Sequence, residues 1–209
     1  NYSLPSDGSN ENTPLLETEI NSALNNAKAI ANNTVHLNIP FEEPLYNTIS
    51  IDAAYIPKYS PESREINTLT DTEFNVISSK WTKATRILIL CGVLEKSTEL
   101  NNLLKQINEN CAVTILTEST ANISDLKFIS SIDRTLAAIN ENELTNYAPD
   151  LLITIGGAII SKKIKSFLRK HKAQEHWQIS LDSEPTDTFT SLTKKLAISP
   201  LSFFSKIQL

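Results

Sequence analysis

The feature that most constrains this chain is a series of short apolar runs that alternate with segments of helical periodicity. Residues 86–92 and 151–155 are almost uninterrupted apolar runs, which are typical of strands buried on both faces. Between them, residues 97–110 place leucines and an isoleucine on one helical face. This alternation predicts an α/β fold with a Rossmann-like, doubly wound, mostly parallel sheet and helices on both faces. The predicted elements are helices at residues 71–80, 97–110 and 161–171, strands at 86–92, 112–117, 151–155 and 176–181, an ambiguous strand or helix at 130–140, and further packing from residues 188–198 with Phe203 and Phe204.

The amino-terminal part carries weaker signals. Thr13 followed by Pro14 predicts a helix start, and apolar residues at helical spacing extend that helix to about residue 31. Alternation over residues 35–39 predicts a strand, whereas residues 1–12 are polar and are expected to be mobile. One helix and one strand cannot bury a core alone, so we expect them to belong to a larger domain.

These patterns divide the chain into three regions. Prolines without a sustained period predict a linker at residues 46–64, between an amino-terminal region at 1–45 and the Rossmann-like domain at 65–209. Because the chain begins in a polar stretch and contains no methionine, we expect a piece of a longer protein.

The small number of glycines excludes several nucleotide-binding and catalytic motifs. The four glycines are Gly8, Gly92, Gly156 and Gly157, and their positions fit neither a G-x-G-x-x-G fingerprint nor a P-loop nor a G-x-S-x-G nucleophile turn. The three histidines lack the H-E-x-x-H spacing, and the two cysteines lack a C-x-x-C. The sequence therefore predicts no catalytic, cofactor-binding or metal-binding residue in this chain.

Charge and composition exclude other classes of protein. The net charge of -5 argues against nucleic acid as a partner, because phosphate neutralisation needs clustered lysine and arginine. The apolar runs are too short to cross a bilayer, and no signal peptide is visible. Two cysteines in apolar surroundings, Cys91 and Cys111, predict a reduced, cytoplasmic protein.

The helix predicted at residues 161–171 breaks a local electrostatic rule. Lys162 and Lys163 lie in its first turn, where the positive end of the helix dipole disfavours each cation by about 0.3–1 kcal/mol. The helix follows Gly156 and Gly157 at the carboxyl end of a strand, which is the edge where open α/β sheets bind ligands. The two lysines form an anion site or simply face water, and both interpretations stay open. The remaining cations of the helix are predicted to be a solvated face: Lys165, Arg169, Lys170 and Lys172.

Other candidate residues carry weaker signals for chemistry. Glu42 and Glu43 are interpreted as linker charges rather than an acid–base pair, because prolines flank them. Cys91 is predicted to be an inert core thiol and His36 a packed or hydrogen-bonded side chain. Asp133 and Arg134 are assigned no chemistry.

Two stretches resemble a known enzyme family. Residues 35–46 read VHLNIPFEEPLY, which resembles the exit strand of the pyrimidine-binding domain in thiamine-diphosphate enzymes. Residues 149–157 read PDLLITIGG and precede Ser161, Lys162 and Lys163, a strand, glycine turn and Ser-Lys helix start similar to the central domain of that group. A vaguer likeness begins at Asp182. Together they resemble the menaquinone-pathway family, 2-succinyl-5-enolpyruvyl-6-hydroxy-3-cyclohexene-1-carboxylate synthase.

The resemblance implies a place and a role for this chain. Residues 1–45 would end the pyrimidine-binding domain, and residues 65–209 would form the central domain. Ser161, Lys162 and Lys163 would hold a substrate carboxylate, although the family often has arginine at the position of Lys163. The family's catalytic glutamate and its Gly-Asp-Gly…Asn motif match nothing in this chain.

The resemblance also implies the reaction of the whole enzyme. With thiamine diphosphate and Mg²⁺, the enzyme would decarboxylate 2-oxoglutarate and join the remainder to isochorismate. The whole enzyme would be a cytoplasmic homo-oligomer, and each subunit would also contain the pyrimidine- and diphosphate-binding domains. This chain alone is predicted to be inactive. The alternatives are a stand-alone anion-binding or regulatory α/β module, a central domain with idle lysines, and the central domain of another thiamine-diphosphate decarboxylase or synthase.

Overall fold

The computed structural model describes seven segments of the chain in two compact units, Asn1–Glu65 and Ile66–Leu209. Several residues of interest lie outside the described residues: Glu42, Glu43, Cys111, Asp182, the end of the first predicted helix and most of the predicted linker. The described segments are residues 1–5, 13–28, 34–41, 59–61, 69–110, 112–181 and 185–207.

The first unit contains one helix and a short parallel strand pair. Helix α1 spans Thr13–Ala27, and strands β1 (Tyr2–Ser3) and β2 (Leu37–Asn38) pair with Tyr2 opposite Leu37. The expectation that residues 1–12 are mobile was therefore wrong for their first part. Tyr2 and Leu4 alternate with polar neighbours at the period of a strand, and the Leu4 side chain is buried.

Three side chains of the first unit clarify the remaining predictions there. The Tyr2 hydroxyl donates to the Ser22 carbonyl oxygen at 3.3 Å, and so joins the strand pair to α1. The side chain of His36 is exposed rather than packed, because the pair is reduced to two residues in each strand and His36 precedes β2. The Ser60 N–H donates to the Asn21 carboxamide oxygen at 2.9 Å, so this part of the proline-containing region lies against α1.

The second unit is built on one five-stranded parallel sheet. Strands β3 (Ile87–Cys91), β4 (Val113–Thr117), β5 (Leu151–Ile155), β6 (Glu175–Ile179) and β7 (Lys194–Leu196) have the order β4-β3-β5-β6-β7. The helices are α2 (Asp71–Lys83), α3 (Thr98–Ile107), α4 (Ile132–Ala138), α5 (Lys162–Lys170) and α6 (Pro200–Ile207).

Helices cover both faces of this sheet. Alternate strand residues such as Ile89 pack with buried side chains of α2, α3 and α6 on one face. Their neighbours, such as Leu88, pack with α4 and α5 on the other face. The predicted Rossmann-like, doubly wound fold is confirmed.

The structure also resolves the ambiguous segments. Within residues 130–140 the helix α4 spans Ile132–Ala138, and Ile129 ahead of it makes a single parallel bridge to β4. Two short 3₁₀ helices, Ser119–Ala121 and Glu141–Tyr147, lie outside the predicted elements. Ile160 is 62% exposed because it precedes the helix rather than belonging to its buried face. No helix among the described residues is long and apolar enough to cross a membrane.

One carboxylate joins the amino ends of the neighbouring strands β3 and β5. Asp150 precedes β5, and its Oδ2 accepts from the Thr85 N–H at 3.0 Å, the Thr85 hydroxyl at 2.6 Å and the Arg86 N–H at 3.0 Å. Its Oδ1 accepts from Arg86 Nη2 at 2.9 Å. These bonds, led by that from the Thr85 hydroxyl, lower the pKa of Asp150.

Candidate functional site

The order of strands predicts where a ligand crevice opens. The chain leaves β3 in one direction to reach β4 and then returns to the other side of β3 to form β5. The carboxyl ends of β3 and β5 therefore form the topological switch point, the usual place of ligand binding in open α/β sheets.

Glycines at this switch point bring two loops of the protein together. Gly156 has φ +78°, and a Cβ added there would lie 2.5 Å from the Val93 carbonyl oxygen. The Gly157 N–H donates to that same oxygen at 2.7 Å. The close approach for which these glycines are needed is thus between the loops after β3 and β5.

The first turn of α5 is held by two carboxylates of the protein. The Ser161 hydroxyl accepts from the Ile164 N–H at 3.2 Å, as a helix cap, and donates to Asp133 Oδ1. The carboxylate of Glu118 accepts from the backbone N–H groups of Ile160 at 2.8 Å and Ser161 at 2.6 Å. Part of the expected anion site is therefore filled from within the chain.

Lys162 and Lys163 extend from this turn into solvent. Both side chains are exposed, and among the residues that the structure describes no carboxylate forms an ion pair with either ammonium group. Within the same ranges their backbone N–H groups have no acceptor. Two cations and two N–H groups thus have no partner among the described residues and can bind an external anion, next to the carboxylates of Glu118 and Asp133.

Sequence reasoning missed the carboxylates that hold this turn. Asp133 was assigned no chemistry, and Glu118 was not singled out. The available signal was the position of Glu118, which directly follows β4 and so lies at the same edge of the sheet as the start of α5.

The structure also reassigns Lys165, which was predicted to belong to a solvated helix face. Lys165 is half-buried and lines a cavity of about 290 Å³ at the carboxyl ends of β5 and β6. Gln178, Thr154 and Phe189 line the same cavity, whereas Lys162 and Lys163 do not. The prediction failed because helical spacing shows which face of α5 carries Lys165, but it does not show that the loop before β7, with Phe189, reaches the same cavity.

A buried histidine lies directly behind this cavity. His176 on β6 has no exposed surface, and its Nε2 lies 3.1 Å from Thr154 Oγ1 and its Nδ1 3.4 Å from Ser191 Oγ. Burial lowers the pKa of His176 to about 4, although the charge of Asp187 acts in the opposite direction. His176 is therefore neutral at physiological pH.

Metal-binding and thiol chemistry find no support in the described residues. Within these ranges no group of three or more histidine, cysteine, aspartate and glutamate side chains could hold a metal ion. Cys91 is fully buried, as predicted, and burial raises the pKa of its thiol to about 12.

Comparison with known proteins places the chain in a family. No protein-family model matches it. The 2-succinyl-5-enolpyruvyl-6-hydroxy-3-cyclohexene-1-carboxylate synthase of Flavobacterium psychrophilum is 37% identical over 175 residues, which are 82% of this chain and 30% of that protein. The protein of the same name from Flavobacterium johnsoniae is 34% identical over 99% of this chain and 36% of its own length. The one from Christiangramia forsetii is 36% identical over 85% of this chain and 31% of its own length. The chain belongs to this synthase family.

The likeness to the synthase family covers most of the chain but a smaller part of its relatives. The chain spans about a third of the length of the curated synthases that it matches. The match to the Flavobacterium johnsoniae synthase extends over 99% of the chain and so includes both compact units.

Proposed function

We propose that this chain is the central part of a thiamine-diphosphate-dependent transferase that joins decarboxylated 2-oxoglutarate to isochorismate in menaquinone biosynthesis. The observation that carries the proposal is the likeness to the synthase family along almost the whole chain. Two stretches that together resemble the family, residues 35–46 and 149–157, agree with it.

The proposal assigns a domain to each compact unit. The first unit, with its parallel strand pair and α1, would be the end of the pyrimidine-binding domain (residues 1–45). The second unit would be the central domain (residues 65–209), with residues 46–64 as the linker. The division between the compact units, after Glu65, supports a boundary near this point.

Lys162 and Lys163 are proposed to hold a substrate carboxylate. Each of the two substrates carries two carboxylates, and ammonium groups that form no ion pair with a described residue can bind such groups by charge-assisted hydrogen bonds. Ser161 contributes by position, because its hydroxyl is bonded to the Ile164 N–H and to Asp133. The role proposed for Ser161 is to start α5 and to fix the direction of the two lysines.

The described residues of this chain do not fit the cofactor. Mg²⁺ prefers a set of carboxylate, carbonyl and water oxygens, and no acidic cluster of that kind occurs in the described segments. None of the four glycines belongs to a Gly-Asp-Gly sequence. Thiamine diphosphate and Mg²⁺ are therefore assigned to other parts of the synthase, and the proposed role of this chain is limited to orienting substrate. A cytoplasmic homo-oligomer is part of the same proposal and rests on the resemblance.

The proposal is tested by removing one charge in the synthase that contains this segment. We expect Lys162→Gln to lower kcat/KM for one of the two substrates by about 10- to 100-fold, which corresponds to about 1.5–3 kcal/mol for a charge-assisted hydrogen bond. Varying 2-oxoglutarate and isochorismate separately identifies the carboxylate that Lys162 holds. Lys163→Arg should keep most of the activity, because it preserves the charge.

Lys172→Gln is the matched control. Lys172 is exposed and lies just after α5, so its substitution makes the same change in net charge away from the first turn. Equal kinetics for Lys162→Gln and Lys172→Gln would contradict the proposal and favour a central domain with idle lysines.

A further inference from the structure

The cavity beside α5 is lined by both polar and apolar side chains. Its volume is about 290 Å³, enough for a small metabolite. Ile159 and Phe189 are apolar lining residues, and both are buried. Lys165, Gln178 and Thr154 supply the polar groups.

The charge that Lys165 contributes to the cavity lining favours an anion. Lys165 lines it and forms no ion pair with a described residue, and the described lining residues include no carboxylate. Asp187 lies between two lining threonines, but its Oδ1 accepts from the N–H groups of Ser191 at 3.0 Å and Leu192 at 3.2 Å. That carboxylate is thus already used to hold the loop before β7.

Gln178 presents a hydrogen-bond donor in a fixed orientation. The Thr186 N–H donates to its carboxamide oxygen at 2.9 Å. Because this bond fixes the oxygen, the NH₂ group is left on the other side of the amide, where no described residue accepts from it. The NH₂ group and the Lys165 ammonium are the two donors that suit a carboxylate.

Thr154 connects the cavity to His176. A neutral imidazole has one donor and one acceptor nitrogen, so His176 either donates to Thr154 or accepts from it. If the Thr154 hydroxyl donates to a bound carboxylate, its oxygen must accept from His176 Nε2–H. Ser191 then donates to Nδ1 at the far side of the ring. An anion in the cavity therefore selects the Nε2–H tautomer.

We propose that this cavity binds a small organic acid, with its carboxylate between Lys165, Gln178 and Thr154 and its apolar body against Ile159 and Phe189. This site is separate from Lys162 and Lys163, and it requires neither the synthase reaction nor its cofactor.

The test is a titration of the 209-residue chain followed by NMR, with hexanoate as the probe. Hexan-1-ol is the uncharged analogue, and inorganic phosphate is the anion without an apolar body. Three variants accompany the wild type: Lys165→Gln removes the charge, Gln178→Glu keeps the acceptor for Thr186 N–H but replaces the donor by a carboxylate, and Lys172→Gln is the matched control. The amide spectrum of each variant establishes that it is folded.

We expect hexanoate to shift the resonances of Thr154, Gln178 and Phe189 and to bind wild type and Lys172→Gln with similar affinity. Lys165→Gln and hexan-1-ol should each weaken binding by about tenfold or more, and Gln178→Glu should abolish it. At saturation the ring nitrogens of His176 should report the Nε2–H tautomer.

Several results would overturn the proposal. These are equal affinity in Lys165→Gln and wild type, tighter binding of phosphate or hexan-1-ol than of hexanoate, shifts confined to residues outside the cavity, or the Nδ1–H tautomer at saturation. Kinetic effects of Lys162→Gln in the synthase bear on the first-turn lysines alone, so either proposal can fail without the other.

Discussion

Burial of His176 disfavours its protonated form, and the stability of the folded chain therefore depends on pH. Burial holds its pKa at about 4 in the folded chain, below the ordinary value of 6.5. The unfolded chain therefore binds the proton more readily. The contribution of neutral His176 to the free energy of unfolding is complete above pH 6.5 and is lost as the pH falls from there toward about 4.

We predict that the free energy of unfolding decreases by about 2 kcal/mol between pH 7 and pH 5 because of this one group. Urea unfolding at the two pH values measures the decrease, and His176→Gln should remove it. Asp150 and Glu175, whose pKa values are lowered, contribute in a more acidic range. The same pH dependence in His176→Gln and wild type would assign the decrease to other groups.

At the residue scale the sequence predicted the candidate lysines but not their surroundings. The positions of Lys162 and Lys163 in the first turn follow from Ser161, whose capping role local sequence can indicate. Glu118 and the residues of that turn are more than forty positions apart in the sequence. They meet because the carboxyl ends of β4 and β5 lie at the same edge of the sheet. The role of Lys165 depends on Phe189, which reaches the cavity from the loop before β7.

At the scale of elements, the turn after β5 depends on a glycine that no other residue can replace without strain. In Gly156→Ala the methyl group would meet the Val93 carbonyl oxygen at 2.5 Å, and the backbone would stay at φ +78°. We expect the free energy of unfolding to fall by about 1–3 kcal/mol.

Gly157→Ala provides the matched comparison for this turn. Its Cβ would lie 3.4 Å from Val93 Cβ and 3.6 Å from the Val93 carbonyl oxygen, which is ordinary contact. We expect a change within about 0.5 kcal/mol. Urea unfolding measures the free energy of unfolding of both variants. Equal losses would show that the positive φ and the close contact at Gly156 are not the reason for the destabilisation.

The carboxylate that joins β3 and β5 gives a second prediction at this scale. Asp150→Ala should destabilise the chain by about 1–3 kcal/mol, because the N–H groups of Thr85 and Arg86 lose their acceptor. Glu141→Gln is the control, since Glu141 forms an exposed ion pair with Lys170 at 3.4 Å that should contribute less than about 1 kcal/mol. Chemical denaturation of both variants measures the difference, and an Asp150→Ala loss no larger than the control would contradict the prediction.

The elements that sequence predicted best are those with a single strong signal. The predicted bounds of β5 agree with the structure because a run of four apolar residues and one threonine lies between Asp150 and a glycine pair. The two 3₁₀ helices have no periodic apolar face, and β1 has two residues, so neither produces a pattern that periodicity can detect.

At the scale of the whole molecule we predict that the 209-residue chain does not catalyse the synthase reaction. Its sequence offers no Gly-Asp-Gly motif for the diphosphate, and its lysines would orient substrate without a reactive centre. The assay combines the purified chain with 2-oxoglutarate, isochorismate, thiamine diphosphate and Mg²⁺, with a full-length relative as the positive control. Product above the level found without protein would overturn the prediction.

The strand order also has a consequence for how the sheet is assembled during synthesis. After β3 and β4 have paired, β5 joins the free side of β3, β6 joins β5 and β7 joins β6. Each new strand is therefore added to an exposed edge, and no strand has to be inserted between two that are already paired. The sheet can grow in the order in which the ribosome delivers its strands, with the free edge of β6 receiving β7 shortly before α6 packs against one apolar face.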